Sequence, residues 1–188
     1  MEKKYELTDE TIKWYGKTLH RIKALKDFGN IKEGDLGGYI EKEDNLSHNN
    51  DCWICGNAQV FGNAEVYGNT QVFGDAEVYG NAQVFGSADV FGNALVFGDA
   101  EVCGDAQVFG NAIISSNDDY ITFGNIGSRY DTTTMFRCKD NMIYVSCGCF
   151  SGTLDEFHDR VIETHGDNKY AKVYNSAISM AKLYFGIE

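Results

Sequence analysis

The feature that most constrains this chain is a six-residue motif that repeats ten times over residues 56–115. Each unit reads Gly, then Asn, Asp or Ser, then Ala or Thr, a variable residue, Val or Ile, and in most units an aromatic residue. No Lys, Arg or His occurs in these 60 residues. A short fixed period predicts a repeat architecture, in which each unit folds like its neighbours and buries its apolar residues against them.

One unit suits a short strand followed by a corner. Val60 is β-branched and lies two residues after the small Ala58, so both side chains point to the same face of a strand. Gly62 and Asn63 tolerate positive φ, which lets the chain turn after the strand. A lone six-residue strand cannot bury its valine, whereas stacked coils bury a continuous column of Val and Ala. The repeat therefore predicts a parallel β-solenoid.

The carboxylates predict the number of sides. Carboxylates stacked about 4.8 Å apart repel one another by roughly 1–3 kcal/mol at a protein surface. Two units per coil would stack Glu65, Glu77, Asp89 and Glu101 in one column, whereas three units per coil place Gln83 between Glu65 and Glu101. We therefore predict a three-sided coil of about four turns, roughly 20 Å tall. Its variable columns are Glu65/Gln83/Glu101, Gln71/Asp89/Gln107 and Gln59/Glu77/Leu95/Ile113.

Two degenerate units, residues 44–49 and 50–55, precede the repeat. If they keep its register, Leu46 and Cys52 take the Ala position and Ile54 takes the Val position. His48 then falls in an inward Val position. The solenoid is accordingly expected over residues 45–118.

The repeated units resemble the hexapeptide repeats of left-handed parallel β-helices. The left hand is implied by this resemblance alone, since the general crossover rule favours the right hand. Residues 19–28, 32–40 and 45–54 resemble the N-terminal region of YdcK-like hexapeptide proteins. The whole layout is similar to hexapeptide-repeat proteins carried by bacteriophages and prophages of gut bacteria. The resemblance implies a fold and leaves the function open.

Segments on both sides of the repeat predict two flanking modules. Residues 4–7 and 11–25 alternate around Tyr15-Gly16, which predicts a hairpin over the edge of the first coil. Apolar alternating runs at 120–123, 134–138 and 142–147 predict strands of a small sheet. We therefore expect an N-terminal β cap over 1–44 and an α+β module over 119–188.

Two helices are predicted in the second module. Thr153 and Glu156 have the spacing of a capping box, and Gly166 marks the end of the first helix. A second helix is predicted over residues 168–185. Its apolar side is predicted to comprise Tyr170, Val173, Tyr174, Ala177, Ile178, Ala181 and Leu183 to Phe185.

Charge is distributed unevenly along the chain. The net charge is −12, and residues 45–128 hold ten acidic residues and no Lys or Arg. Contacts to phosphates need Lys or Arg, so we expect no direct binding of nucleic acid to the solenoid. A protein partner with a basic surface suits it better.

The sequence also bears on compartment and redox state. No stretch is as apolar and long as a membrane helix, and the first residues lack the apolar core of a signal peptide. We expect a cytoplasmic protein without membrane association, in the host cytoplasm if the chain is phage-encoded. The six scattered cysteines are then expected to be free thiols.

Enzymatic candidates are sparse. The resemblance implies that relatives are often acyltransferases with a histidine base between coils, but only His48 lies near the coils, and a structural role is favoured for it. The repeat offers no histidine for zinc, and Cys52 and Cys55 should point in opposite directions. We therefore predict no catalytic residue, metal or cofactor, with a diverged acyltransferase as an alternative that acetyl-coenzyme A binding would test.

The aromatic position follows the inward Val and should face outward, which would give eight exposed rings. We expect these rings to be covered by identical subunits in a dimer or trimer, by the flanking modules, or by a foreign protein. The face carrying Phe73, Phe91 and Phe109 is the expected main contact. The complete predicted partner-binding set is Phe73, Phe91, Phe109, Phe61, Tyr79, Phe97, Tyr67, Phe85, Glu65, Glu77, Asp89 and Glu101.

A second candidate site is the loop over residues 124–134, followed by residues 147–152. Arg129 could pair with a phosphate, while His158 and His165 leave acid–base chemistry open. A structural turn in which Asp131 bonds to backbone is the favoured alternative. The predicted ligand-binding set is Ser128, Arg129, Asp131, Thr132 and Thr133.

Three functions therefore stay open from the sequence. The leading one is a non-catalytic interaction or scaffold protein that self-assembles or binds a basic protein, such as a host nucleic-acid-binding or defence protein. The others are a diverged acyltransferase and a small-ligand or nucleotide binder that uses the C-terminal module.

Overall fold

A computed structural model describes residues 2–187. The chain begins with two antiparallel strands, β1 (Tyr5–Trp14) and β2 (Lys17–Ala24). Tyr15 and Gly16 connect them with φ angles of 43° and 78°, a pair of positive values that fits the right-handed twist of a hairpin. The predicted N-terminal hairpin is confirmed.

The hairpin joins the solenoid through one further strand. Strand β3 (Leu36–Ile40) pairs antiparallel with β2 on one side. On its other side it pairs in parallel with the first regular strand of the repeat, so that Ile40 lies opposite Val60. One continuous seven-stranded sheet therefore contains the hairpin and a whole face of the solenoid.

The repeat forms a three-sided parallel β-solenoid of about four turns, as predicted. Val60 pairs with Val78 and Val78 with Val96, a step of one coil. Each repeat unit contributes one two-residue strand, and these strands stack into three separate sheets. The strands are β4 (Trp53–Ile54), β5 (Gln59–Val60), β6 (Glu65–Val66), β7 (Gln71–Val72), β8 (Glu77–Val78), β9 (Gln83–Val84), β10 (Asp89–Val90), β11 (Leu95–Val96), β12 (Glu101–Val102), β13 (Gln107–Val108) and β14 (Ile113–Ile114).

The Val and Ala columns fill the inside of the solenoid, which we call the stem. Val72, Val90, Ala76 and Ala94 are completely buried, like nearly every member of their columns. The corner glycines stack on one another with positive φ. A Cβ on Gly80 would lie 2.9 Å from the backbone nitrogen of Gly98, so both the φ angle and the spacing between coils require glycine there.

The first coil departs from the predicted register. Leu46 bridges Val66 and therefore takes the Val position, whereas the sequence analysis assigned it to the Ala position. Cys52 and Ile54 lie where they were predicted, because Ile54 pairs with Val72. Two additional residues thus fall in the corner between Leu46 and Cys52, and His48 lies in this widened corner and not in a Val column.

The α+β module closes the other end of the stem. Its antiparallel sheet runs β15 (Tyr120–Ile126), β16 (Asp131–Arg137), β17 (Ile143–Cys147) and β18 (Phe150–Thr153). Strand β18 was not predicted, and β15 and β16 are longer than expected. Phe136 on β16 is fully buried against the solenoid core, and its ring meets that of Phe109 edge-on at 5.1 Å.

Two helices pack on this sheet, α1 (Leu154–His165) and α2 (Lys169–Phe185). The capping box is confirmed, since Thr153 Oγ1 accepts from Glu156 N–H at 3.3 Å and Glu156 Oε2 accepts from Thr153 N–H at 2.8 Å. Gly166 ends α1 with a φ of 58°. Neither of these helices is both long and apolar enough to cross a membrane.

The predicted apolar side of α2 is partly wrong. Val173, Leu183 and Tyr184 are exposed, while Ala171, which was not predicted, is buried. The sheet contacts the side of the helix that carries Tyr174, Ala177, Ile178 and Ala181. The helix is thus buried along a narrower stripe than its apolar residues alone indicate.

Candidate functional site

A cleft of about 390 Å³ opens in the α+β module. We call it the C-terminal cleft. It lies between the loop that joins β15 to β16, the turn that joins β17 to β18, and the two helices. Its walls are formed by Ser128, Arg129, Asp131, Cys147, Gly148, Cys149, Phe150, Phe157, Arg160, Val161, Thr164, His165 and Tyr174.

The turn between β17 and β18 places two thiols on the cleft. Cys147 and Phe150 are paired across the hairpin, which leaves Gly148 and Cys149 as the two turn residues. Gly148 has a φ of 58°, the conformation that a two-residue turn with Gly first adopts. This turn holds Cys149 exposed and Cys147 half-buried at one edge of the cleft.

Arg129 brings a cation to the same edge. Its Nη1 donates a hydrogen bond to Cys149 Sγ at 3.5 Å. This hydrogen bond raises the pKa of Arg129 above its ordinary value. A Cβ on Gly148 would lie 3.5 Å from the same Nη1, so the turn leaves room for the guanidinium to lie over it.

A small hydrogen-bond network lies beneath these groups. Thr133 Oγ1 donates to Cys147 Sγ at 3.2 Å, and the Cys147 thiol donates to Tyr174 Oη at 3.6 Å. Burial, together with the Cys147 contact, raises the pKa of Tyr174 well above its usual range. The Tyr174 hydroxyl therefore stays protonated at neutral pH and fixes the floor of the cleft.

Helix α1 forms the opposite wall. Arg160 and Thr164 are one turn apart on this helix, and His165 follows at its C-terminal end. The ring of His165 stacks on Tyr174 with centroids 5.7 Å apart. Arg160 Nη1 lies 3.0 Å from Glu163 Oε2, but both side chains are largely exposed, so this ion pair is weak and leaves the guanidinium accessible.

The predicted ligand-binding residues are only partly assembled here. Ser128, Arg129 and Asp131 line the cleft. Thr133 is fully buried and donates to Cys147, and Thr132 lies outside the cleft walls. Asp131 Oδ1 accepts from the backbone N–H of Thr132 at 2.8 Å, so the contact expected for a structural turn is also present.

The helix side of the cleft was missed from the sequence. Arg160, Thr164 and Tyr174 carried no signal of their own, although the spacing of Arg160 and Thr164 places them on one helix face. His165 was named and does line the cleft. His158 lies outside it, with Nδ1 3.9 Å from Asp159 Oδ1.

The aromatic residues of the solenoid form three stacked columns. Ring centroids are 4.7–5.1 Å apart in these columns. Each ring is therefore half-buried by its neighbours, and the expectation of eight exposed rings is wrong. Phe61 is almost fully buried and stacks on Tyr15 of the hairpin, while Phe109 is covered by Phe136.

The carboxylate columns have the predicted spacing. Gln83 pairs with both Glu65 and Glu101, and Asp89 lies between Gln71 and Gln107. Corner side chains bond from coil to coil, as between Asn81 Nδ2 and Asp99 Oδ1 at 2.9 Å. One predicted partner-binding carboxylate is used internally, because Glu77 Oε2 accepts from Trp14 Nε1 at 3.1 Å.

Asp89 is the carboxylate that burial affects most clearly. It lies half-buried on the face that carries Phe73, Phe91 and Phe109. Burial raises the pKa of Asp89 above its ordinary value.

His48 contacts the hairpin in the widened corner. Its ring stacks on Tyr5 with centroids 4.3 Å apart, and its Nδ1 accepts from the backbone N–H of Lys4 at 3.2 Å. Burial lowers the pKa of His48. The histidine is therefore held in its neutral form as part of the packing between cap and coil.

The cysteines near His48 point apart, as expected. Cys52 is fully buried, whereas Cys55 lies half-buried on the outside of the stem. Across residues 2–187, no three His, Cys, Asp or Glu side chains converge as a metal site would require.

Comparison with known proteins adds no identity. No protein-family model matches the chain, and no curated protein matches it. The features that bear on function are therefore the C-terminal cleft and the surface of the solenoid.

Proposed function

We propose that this protein binds a small phosphate-bearing ligand, such as a mononucleotide, in the C-terminal cleft. The observation that carries this proposal is the presence of two arginines that line one cleft, Arg129 from the loop between β15 and β16 and Arg160 from α1. Guanidinium groups bind phosphate oxygens through two parallel hydrogen bonds, and such charge-assisted bonds are the strong ones.

The remaining walls suit the rest of such a ligand. Ser128 and Thr164 offer hydroxyl donors close to the arginines, and Phe150 offers an aromatic ring beside them. A mixture of apolar surface and a few polar groups is typical of small-molecule sites. The volume of about 390 Å³ is at the small end of the roughly 300–1,000 Å³ range for such sites, which favours a single nucleotide over a polymer.

The charge distribution supports the same location. Residues 45–128 carry no Lys or Arg, while residues 129–188 hold seven of the sixteen in the chain. Residues 129–188 also hold eight acidic residues, so the module is close to neutral. An anionic ligand is therefore repelled less by this module than by the acidic stem, and the two arginines attract it locally. The stem then serves as the support for a binding module at its end.

Calorimetry and thermal unfolding with inorganic phosphate, nucleoside mono-, di- and triphosphates and uncharged nucleosides test this proposal. We expect phosphate-bearing compounds to raise Tm. Arg129→Ala and Arg160→Ala should each weaken binding by about tenfold or more, because each removes charge-assisted hydrogen bonds. Lys172→Ala removes an exposed cation of α2 outside the cleft walls and should leave affinity unchanged. Binding that survives both arginine substitutions, or stabilisation by none of the compounds, would refute the proposal.

A second candidate function is the binding of a basic protein, or a second copy, by the solenoid. The concentration of ten acidic residues without Lys or Arg over residues 45–128 favours it. Regularly spaced carboxylates at Glu65 and Glu101 are exposed and could take the place of nucleic-acid phosphates on a basic host protein. The half-buried face of Phe73 and Phe91 would supply the apolar part of the contact.

Pulldown from a host lysate at low and high salt separates these possibilities. A basic partner should be retained at low salt, lost at high salt, and lost again when Glu65→Gln and Glu101→Gln are combined. Mass photometry of the purified chain tests self-association into dimers or trimers. Partners that are indifferent to both salt and the double substitution would contradict electrostatic docking.

A further inference from the structure

Two of the six thiols lie within one turn and face one cleft. Cys147 and Cys149 are separated by Gly148 alone and both line the C-terminal cleft. Arg129 Nη1 lies 3.5 Å from Cys149 Sγ. Redox-active cysteines in proteins are typically solvent-accessible, close to a cation, and accompanied by a second cysteine that resolves the first product.

We infer that the Cys147-Gly148-Cys149 turn is a thiol–disulfide exchange site, in which Cys149 attacks a low-molecular-weight disulfide and Cys147 resolves the mixed disulfide. The inference does not depend on the ligand proposed above, because its reactants are the two thiols and the small disulfide.

Cys149 has the surroundings of the attacking thiol. It is exposed at the tip of the turn, and Arg129 Nη1 donates to its Sγ at 3.5 Å. A guanidinium next to a sulfur stabilises the thiolate, which is the nucleophilic form. Arg160 on the opposite wall adds a second positive charge to the cleft.

Cys147 has the surroundings of the resolving thiol. It is half-buried, its Sγ accepts from Thr133 Oγ1, and its own S–H donates to Tyr174 Oη. These contacts hold its side chain in place beside the turn. Cysteines two residues apart have Cα atoms at most about 7 Å apart, and a tight turn brings them within the roughly 4.4–6.8 Å that a disulfide spans.

Three of the other four cysteines lack these surroundings, and the fourth, Cys103, is half-buried with its Sγ 3.6 Å from Tyr120 Oη. Cys52 and Cys138 are buried, and burial raises the pKa of Cys138 to about 12. Burial likewise raises the pKa of Cys55. These three thiols are therefore poor nucleophiles at neutral pH.

The exchange balances without a further reactant. The Cys149 thiolate attacks one sulfur of the small disulfide, the S–S bond breaks, and one small thiolate leaves and takes a proton from water. Cys147 then gives its proton to water and attacks the Cys149 sulfur, which releases the second small thiolate. In total, two protein thiols are oxidised to one disulfide, and one small disulfide is reduced to two thiols.

Mass spectrometry of the full chain treated with oxidised glutathione tests this inference. Wild type should lose two hydrogens and form a Cys147–Cys149 disulfide without a lasting adduct. Cys147→Ser should accumulate one glutathione adduct on Cys149, and Cys149→Ser should react at least about tenfold more slowly than wild type. Cys55→Ser is the matched control and should behave as wild type.

The role of Arg129 is tested separately. Arg129→Gln should slow the first exchange by about tenfold, because it removes the cation that lies against the attacking sulfur. An unchanged thermal unfolding midpoint in each variant shows that the fold is intact. Adducts spread evenly over all six cysteines, or the absence of a trapped adduct in Cys147→Ser, would overturn the inference.

Discussion

Gly127 shows how a single residue shapes the cleft. It is buried, has a φ of +76°, and a Cβ built on it would lie 1.8 Å from Tyr174 Oη. Tyr174 in turn contacts Cys147 and His165. The absence of a side chain at position 127 is therefore what allows the tyrosine to reach the floor of the cleft.

We predict that Gly127→Ala destabilises the protein by about 2–4 kcal/mol, since the change combines positive φ with a steric clash. Gly186→Ala is the matched control, because Gly186 is in the left-handed helical conformation with a φ of +66° and has nothing within 4 Å of an added Cβ. That substitution should cost only about 1 kcal/mol. Denaturant unfolding of both variants measures the difference. Equal losses would mean that Tyr174 moves aside without cost.

Asp119 is a second residue with a measurable role, at the junction of stem and module. Burial alone would raise its pKa, but hydrogen bonds from Ser115 and Ser116 and the charge of Arg137 together hold the pKa of Asp119 below its ordinary value. Its Oδ2 accepts from Ser115 N–H at 2.8 Å. The ionised carboxylate therefore stabilises the folded state.

Asp119→Asn should lower the free energy of unfolding by about 1–2 kcal/mol at neutral pH. Because the folded-state pKa is depressed, this contribution is complete above the unfolded value of about 4 and is lost as pH falls through the folded value. Unfolding measured from pH 7 to pH 2 should show the two proteins converging at the acidic end. A difference that is the same at every pH would contradict this assignment.

At the scale of the element, the first coil is held in its unusual register by distant residues. Leu46 is almost fully buried in a Val position. The widened corner that follows is closed by Lys4, whose Nζ donates to the carbonyls of Asn50 and Cys52 at 3.2 and 2.8 Å. The hairpin thus supplies the donors that the additional corner residues need.

This register predicts a large loss of stability for one substitution in the first coil and a small loss for another. Leu46→Ala should cost about 2–4 kcal/mol, because it empties a large buried position. Cys52→Ala places alanine where the repeat normally has it and should cost less than about 1 kcal/mol. Thermal or chemical unfolding distinguishes them. A negligible cost for Leu46→Ala would favour the regular register, in which position 46 belongs to the Ala column.

Features that depend on residues close together in the chain were predicted from the sequence, and features that depend on contacts between distant residues were missed. Each repeat unit carries both its inward valine and its corner glycine, so the strand and the turn follow from six residues. The number of units per coil follows from the spacing of carboxylates between units. The widened corner depends on Lys4, 46 residues before Asn50, which no local pattern reveals. In the cleft, the loop residues Ser128 and Arg129 were found, whereas Arg160 was missed because its direction depends on how α1 docks.

At the scale of the whole molecule, the stem avoids its own repulsion by alternating carboxylates with neutral residues. Gln83 separates the carboxylates of Glu65 and Glu101 in the observed column. Because the chain has a net charge of −12, stacking further like charges lowers the stability of the folded state. Salt reduces this loss by screening the repulsion.

We predict that Gln83→Glu lowers stability by about 1–3 kcal/mol at low salt, and by much less in about 1 M salt. The same change made together with Glu65→Gln and Glu101→Gln should be nearly neutral, because no carboxylate then has a charged neighbour in its column. Thermal unfolding at two salt concentrations tests both variants. A loss that is insensitive to salt and to the flanking charges would mean that packing, not repulsion, sets the residue at position 83.

Because every coil adds the same step, the length of the stem is independent of the structure of its ends. The hairpin and the widened corner engage the first two coils, where Trp14 reaches Glu77, and Phe136 closes the last coil. Gain or loss of one 18-residue coil, the step from Val60 to Val78, would shift the two ends by one strand spacing, about 4.8 Å. The number of coils therefore sets the distance between the N-terminal cap and the C-terminal cleft. Duplication of one coil in the gene can change this distance while the cap and the cleft keep their structures.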